Sequence, residues 1–232
     1  MSLETINFEH FALKPQDRLL DLGCGEGRHS ISAYISENVQ VVGLDLSIED
    51  MTTARTRLED FTGEGNINFT CGSGLQLPFA DNSFDKVICS EVLEHIPDYQ
   101  QVLNEIDRVL KPDGLFSLSV PRYFPEWVCW QLSKAYHEVP GGHIRIFRSG
   151  ELQQAVESHS FTLYKRHYTH GLHSPYWWLR CLFWNAGENQ FLVKAYHRLL
   201  VWDLMKKPRI TKWLELALNP FIGKSVVMYF NR

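Results

Sequence analysis

The chain has 232 residues, 44% of them hydrophobic and 22% charged, which is enough to bury a sizeable core as one domain. Its formal net charge of −4 argues against DNA or RNA as the main partner, since proteins that bind them carry a basic excess. The five cysteines include no C-x-x-C pair, so neither a disulfide framework nor a metal site is expected.

In chain order, the N-terminal MSLETINFEHFALKP has neither a basic start nor an apolar core, so it does not read as a signal peptide. Short apolar runs then alternate with helical patterns, the signature of βαβ units and a parallel sheet. Strands are expected at Arg18–Leu22, Gln40–Asp45, Asn66–Cys71, Lys86–Ser90 and Leu115–Val120. Met51, Ala54, Leu58 and Phe61 recur at helical spacing behind a Ser47/Asp50 capping box. A second helix carries Tyr99, Val102, Leu103, Ile106 and Leu110, and Lys111-Pro112-Asp113-Gly114 stops it and turns the chain. Residues 122–147 are rich in aromatics, and Ser149 is placed to cap a short helix through about Ser158. Phe161–Tyr168 reads as a sixth strand, Phe191–Leu204 as a helical patch within the Trp-rich segment 171–222, and Ser225–Phe230 as a last strand. No run of about 18 uncharged apolar residues occurs, so no membrane span is expected and the default compartment is a reducing cytoplasm.

The strongest local signal is Leu19-Leu20-Asp21-Leu22-Gly23-Cys24-Gly25-Glu26-Gly27, an apolar strand running into G-x-G-x-G. Glycine is needed where backbone turns sharply and lets a ligand approach without a Cβ in the way. A dinucleotide fingerprint would place its third glycine at Arg28, one residue later, to cradle a pyrophosphate. Asp21 adds a carboxylate, which suits a ligand ammonium or sulfonium and not a phosphate. Val41-Val42-Gly43-Leu44-Asp45 then ends in an acid 18 residues after Gly27, where a carboxylate can accept both ribose hydroxyls of an adenosine ligand.

Together with LPFADNSFDKVICSEVLEHIPD and RVLKPDG, these segments resemble the class I S-adenosylmethionine-dependent methyltransferases of the ubiquinone/menaquinone-biosynthesis type, over roughly residues 17–120. The resemblance implies that Asp21, Gly23 and Gly25 surround the methionine part of the cofactor and that Asp45 holds the ribose. It also implies that the loop Gly72–Gln76, with Ser73 and Gly74, flanks the adenine, and that Ser90-Glu91 lies beside the methyl group. The GGHIRIF stretch, Gly141–Phe147, resembles a segment before the last helix of many such enzymes. Two departures stand out. Ser73 occupies the position of a usual Asp, so it cannot supply a fixed charge to the adenine amino group. Lys111-Pro112-Asp113-Gly114 replaces the commoner Pro-Gly-Gly and affects only a turn.

Methyl transfer needs alignment, exclusion of water and, for some acceptors, removal of a proton. His143, next to Gly141-Gly142, and Glu91, at the end of the fourth strand, are the candidate catalytic residues. His137, Tyr123, Glu94 and His95 lie nearby, with a structural helix-start role favoured for His95. The H-x-x-H-x-x-H spacing of His167, His170 and His173 reads as surface or turn, because an extended chain sends such side chains to alternating faces. The Trp-rich segment interleaves Trp177, Trp178, Trp184, Trp202 and Trp213 with basic residues, which suits an apolar substrate channel, an interfacial patch on an anionic membrane, or a dimer interface or helical core.

The expected architecture is one α/β, Rossmann-like domain over residues 1–232, with a mostly parallel seven-stranded sheet, helices on both faces, and a lid from 122–147 and 171–222. The expected function is methyl transfer from S-adenosylmethionine to a small or lipid-like acceptor, with oxygen favoured, no nucleic-acid partner and a peripheral membrane contact allowed. The rivals are a catalytically silent cofactor-binding partner protein and a nicotinamide-dependent oxidoreductase, which the missing third glycine disfavours.

Overall fold

The computed structural model describes residues 4–232, apart from the side chains of residues 187–189. Seven strands form one sheet: β1 Arg18–Leu22, β2 Gln40–Asp45, β3 Asn66–Cys71, β4 Phe84–Ser90, β5 Leu110–Pro121, β6 Thr162–Thr169 and β7 Ser225–Asn231. Their order is β3-β2-β1-β4-β5-β7-β6. β7 runs antiparallel to both neighbours, and the pairings from β3 through β5 are parallel. The central strands are apolar on both faces, as a sheet covered by helices on each side requires: Leu19, Leu20, Val87, Ile88 and Leu118 are fully buried. The C-terminal strand β7 sits between β5 and β6, so the end of the chain is woven into the sheet that its beginning starts.

The helices are α1 Phe8–Phe11, α2 Arg28–Ser36, α3 Ile48–Leu58, α4 Tyr99–Val109, α5 Tyr123–Leu132, α6 Lys134–Glu138, α7 Ser149–Glu157, α8 His173–Leu182, α9 Phe191–Lys206 and α10 Arg209–Ile222. One face of the sheet packs Val102, Leu103 and Ile106 of α4 with Leu152 and Val156 of α7. The other packs Ile6 and Phe11 of the N-terminal segment with Ala33 of α2 and Tyr229 of β7. The reversal of strand order beside β1 opens a crevice at the carboxyl ends of β1 and β4, where ligands of open α/β sheets bind.

The sequence expectations hold in outline, with local corrections. Ser47 caps α3 through its hydroxyl, which accepts from Asp50 N at 3.1 Å, but α3 stops at Leu58 and leaves Phe61 46% exposed. Ser149 is the first residue of α7 rather than its cap, and Arg148 at the cap position makes no side-chain capping bond. α4 ends at Val109, yet β5 begins at once at Leu110, which pairs with Phe84 while Leu115 pairs with Lys86. Lys111-Pro112-Asp113-Gly114 is therefore a bulge within a strand, with Asp113 at φ 65° absorbing the turn. Of the three spaced histidines, His170 is buried and His167 and His173 are half-buried. His167 and His170 pack against the N-terminal segment, with His10 and His167 rings 5.4 Å apart and Thr5 Oγ1 3.2 Å from His170 Nε2. Burial lowers His167 and His173 to about 4 and His170 well below its ordinary value, so all three are neutral.

Candidate active site

The glycine loop leaves β1 by bonding across to β2: Gly23 N and Cys24 N donate to Leu44 O at 2.7 and 3.1 Å. Gly23 and Gly25 adopt φ 69° and 52°, conformations that L side chains rarely take. A Cβ on Gly23 would lie 2.3 Å from Val92 Cγ2, so close packing of the loop demands glycine there. A Cβ on Gly25 would meet nothing within 4 Å, because it would project into open space. Asp45 Oδ2 accepts from Gly25 N at 2.9 Å and Oδ1 from Ser47 N at 3.0 Å, so this acid locks the loop while each oxygen keeps a second lone pair.

That open space is a cavity of about 510 Å³, lined by Gly23, Gly25, Asp45, Gly74, Glu91 and His95 among others. Its size falls in the range of small-molecule sites, ~300–1,000 Å³. A larger cavity of about 750 Å³ lies between the N-terminal segment and β6 with α10, away from the glycine loop.

Of the remaining residues expected to bind cofactor, Gly74 lines this cavity, and Asp21, Ser73 and Ser90 are not among its lining residues. Asp21 is 1% exposed and lies under the loop, where Ser30 Oγ donates to its Oδ2 at 2.6 Å and its Oδ1 has no hydrogen-bond partner. Burial raises its carboxyl to about 6 against the pull of Ser30 and Arg28. Gly72 lines the cavity beside Gly74, whereas the Ser73 hydroxyl accepts from Leu75 N at 3.2 Å. Ser90 is buried, its hydroxyl 2.8 Å from that of Ser119 on β5.

At the far end of the cavity the material changes from backbone to titratable side chains. Glu91 leaves β4 at φ 57°, a left-handed conformation for a non-glycine residue, held by its N–H on Ser119 O at 2.9 Å. Ser119 Oγ donates to Glu91 Oε1 at 2.9 Å. Glu91 also lines a smaller cavity of about 180 Å³ with Arg28, His170, His173 and Lys224. His95 lines the main cavity and is not a helix-start residue; Asp98 caps α4 instead. Its Nδ1 lies 3.3 Å from Gly142 O, and burial with the neighbouring His143 lowers its pKa.

His143 packs edge-on against His95 without lining the cavity itself, and it is held there by an acid that the sequence reading did not single out. Its Nδ1 lies 2.6 Å from Glu126 Oε1 on α5. Glu126 is 2% exposed and also accepts from Trp130 Nε1 at 3.1 Å and Tyr136 OH at 3.2 Å. Burial pushes its carboxyl up, but the donors His143 and Trp130 and the charge of Lys224 hold it below its ordinary value. Glu126 is the one charged residue of YFPEWVCWQL, and a lone acid on an apolar helix was the available signal. Of the alternative bases, His137 stacks on Trp130 at 4.1 Å and Tyr123 is 38% exposed beneath Arg148.

Fold, glycine loop and acidic strand end together define a Rossmann-like, class I methyltransferase domain. The methyltransferase-domain family matches residues 13–174, more than half of the chain, and the chain belongs to that family. It is 35% identical over 106 residues to the 27-O-demethylrifamycin SV methyltransferase of Amycolatopsis mediterranei, covering 46% of this chain and 39% of that protein. It is 32% identical over 142 residues to the demethylmenaquinone methyltransferase of Lysinibacillus sphaericus, covering 60% of this chain and 53% of that one. The chain thus spans about half the length of these relatives, or less. The solved structure of the YcgJ protein of Bacillus subtilis shares the fold, with a TM-score of 0.64 at 18% identity over 97% of this chain and 95% of the other.

Proposed function

We propose that this protein transfers a methyl group from S-adenosylmethionine to the hydroxyl oxygen of a small or lipid-like acceptor. The observation that carries the reading is the convergence, on one cavity, of a glycine loop locked by Asp45 with Glu91 and His95, against which His143 packs. The cavity fits the cofactor: Gly25 leaves space that a Cβ would fill, and Asp45 retains lone pairs for ribose hydroxyls. Gly23 and Gly25 would border the methionine portion, with the buried carboxyl of Asp21 beneath them. Gly72, Ser73 and Gly74 would flank the adenine. S-adenosylmethionine supplies a methyl carbon made electrophilic by its sulfonium. The protein's part is to align the acceptor, exclude water and accept the hydroxyl proton. Glu91 and His143 are the groups assigned to that proton, His143 being oriented by Glu126, and Ser90 fixes the strand end through Ser119. The names of relatives such as 27-O-demethylrifamycin SV methyltransferase support oxygen as the target atom. The test is a screen of hydroxyl-bearing acceptors with S-adenosylmethionine, read by mass. A gain of one methyl with release of S-adenosylhomocysteine supports the reading. Cofactor binding without turnover on any acceptor favours a catalytically silent partner protein.

The acceptor is proposed to be apolar and met at a membrane surface. α9 and α10 leave Phe191, Met205, Trp213 and Phe221 more than 70% exposed. Every exposed charged side chain described on these two helices is basic, from Lys194 to Lys212, while Asp203 is buried and Glu215 half-buried. Apolar side chains ringed by cations suit the interface of an anionic bilayer. No helix among the described residues is long and apolar enough to cross one. Flotation with anionic liposomes and its loss with zwitterionic ones is the expected result; equal indifference to both contradicts it.

A further inference from the structure

Glu94 sits in the turn between β4 and α4 with no exposure, and neither of its carboxylate oxygens has a hydrogen-bond partner. A buried carboxylate in that state is costly unless it is protonated or a cation compensates it. Two imidazoles lie close to it. His95 Nε2 lies 3.9 Å from Glu94 Oε1, and the His143 ring centre lies 4.9 Å from that of His95. One ligand atom from each of Glu94, His95 and His143 falls within 4.8 Å of the other two, the only such trio among the described residues.

The outer contacts of the two rings add an independent sign. His143 Nδ1 is engaged by Glu126, and His95 Nδ1 by the Gly142 carbonyl. Metal-ligating histidines characteristically give their second nitrogen to a carboxylate or a backbone carbonyl, which fixes the ring and raises its basicity. Here both Nε2 atoms remain for an ion. We propose that Glu94, His95 and His143 bind one divalent transition-metal cation at the acceptor end of the cavity. Two imidazoles and one carboxylate suit zinc or manganese better than magnesium, which prefers an all-oxygen shell. A closure of up to ~1.4 Å brings the donors to the separation of ~3.4 Å that tetrahedral bonds of ~2.1 Å require.

Three protein ligands leave a coordination position open, the arrangement of catalytic rather than structural sites. His95 lines the cavity, which brings that position to the edge of the space left for the acceptor. A hydroxyl oxygen bound there would ionise far more readily than in water. This role rests on the methyl-transfer reading, and it names the acceptor class as hydroxyl compounds able to coordinate a metal. His143 then serves as a ligand, and the acceptor proton passes to the Glu91 carboxylate.

The test is calorimetry on chelator-treated protein with zinc, manganese and magnesium chlorides, with S-adenosylmethionine titrated into the same samples. The expected result is one zinc or manganese site, magnesium weaker, and a loss of about 10–100-fold or more in Glu94→Gln and His143→Gln. Thermal melts check that the variants fold, and the near-isosteric Glu94→Gln retains the volume of the buried acid. Absence of a stoichiometric zinc or manganese site overturns the proposal, as does a site whose affinity both folded variants retain. Protein that binds S-adenosylmethionine and refuses metal loses only this inference. Protein that binds metal here and refuses S-adenosylmethionine loses the methyl-transfer reading and keeps the cation site.

Discussion

The two ends of the central cavity are built from different materials. At one end, backbone does the shaping: Gly23 and Gly25 bend at positive φ, and Asp45 ties the loop down through two backbone N–H groups. All of it comes from two successive strands and 25 residues of chain. At the other end, the side chains of Glu91, Glu94, His95, Glu126 and His143 meet, carried by the β4–α4 turn, α5 and the loop before α7. A cofactor common to a whole family can be read by a fixed backbone cradle. The acceptor end instead joins the family-like β4–α4 turn, which carries Glu91, Glu94 and His95, to residues 122–147 outside that stretch, which carry Glu126 and His143 and can change without disturbing the sheet.

The comparison breaks most sharply at Gly25. Gly25→Val places a branched side chain in the cavity at φ 52°, and S-adenosylmethionine affinity should fall by more than about 100-fold in a protein that still melts cooperatively. Normal binding by this variant would reduce the loop to a turn. His143→Gln probes the opposite end. Turnover should drop by about 10²–10⁴ with cofactor affinity unchanged, whether the ring acts as base or ligand. A loss below about tenfold would leave His143 a structural role only. Glu126→Gln should be milder, about 10–100-fold in turnover, since it weakens the orientation of His143 without removing the ring. An unchanged rate would show that the pair at 2.6 Å is packing alone.

The smallest effect separates histidines of the fold from those of the site. His29 is buried, and its Nε2 accepts from Thr5 N and Ile6 N at 3.2 and 3.3 Å. Burial lowers its pKa to about 3, below the unfolded value of 6.5. Below the unfolded pKa the unfolded chain binds the extra proton, so stability is full above it and falls as pH drops toward the folded value. Urea melts should lose ~1.4 kcal/mol per pH unit on account of this residue. His29→Gln should flatten that part of the acid slope, and an unaltered slope would mean that other groups carry it.

The same contrast explains what was legible in the sequence. The first three strands were readable to the residue: β1 and β2 write apolar runs that end in Gly23 and Asp45, and the edge strand β3, with only Phe69 buried, alternates Ile67 and Phe69 with polar residues before Gly72. The capping of α3 by Ser47 was local and therefore visible. The strand start at Leu110 was hidden, since a bulge looks like a turn when its partner Phe84 is unknown. The burial of His167 and His170 was hidden because the segment that covers them comes from the N-terminus, more than 150 residues away. Glu126 was missed for the same reason: what gives it meaning is His143, 17 residues on and across a helix. Periodicity reports which face a residue occupies, not which distant residue it meets.

The measurement that bears most directly on the central claim is calorimetric titration of S-adenosylmethionine into the wild-type protein and Asp45→Ala. The account predicts one site in the wild type and a marked loss in the variant. That loss reflects charge-assisted hydrogen bonds worth roughly 1.5–3 kcal/mol each and the loosened Gly25 loop. Equal affinity in the two proteins would remove Asp45 from the cofactor site, and no binding to the wild type would contradict the account as a whole.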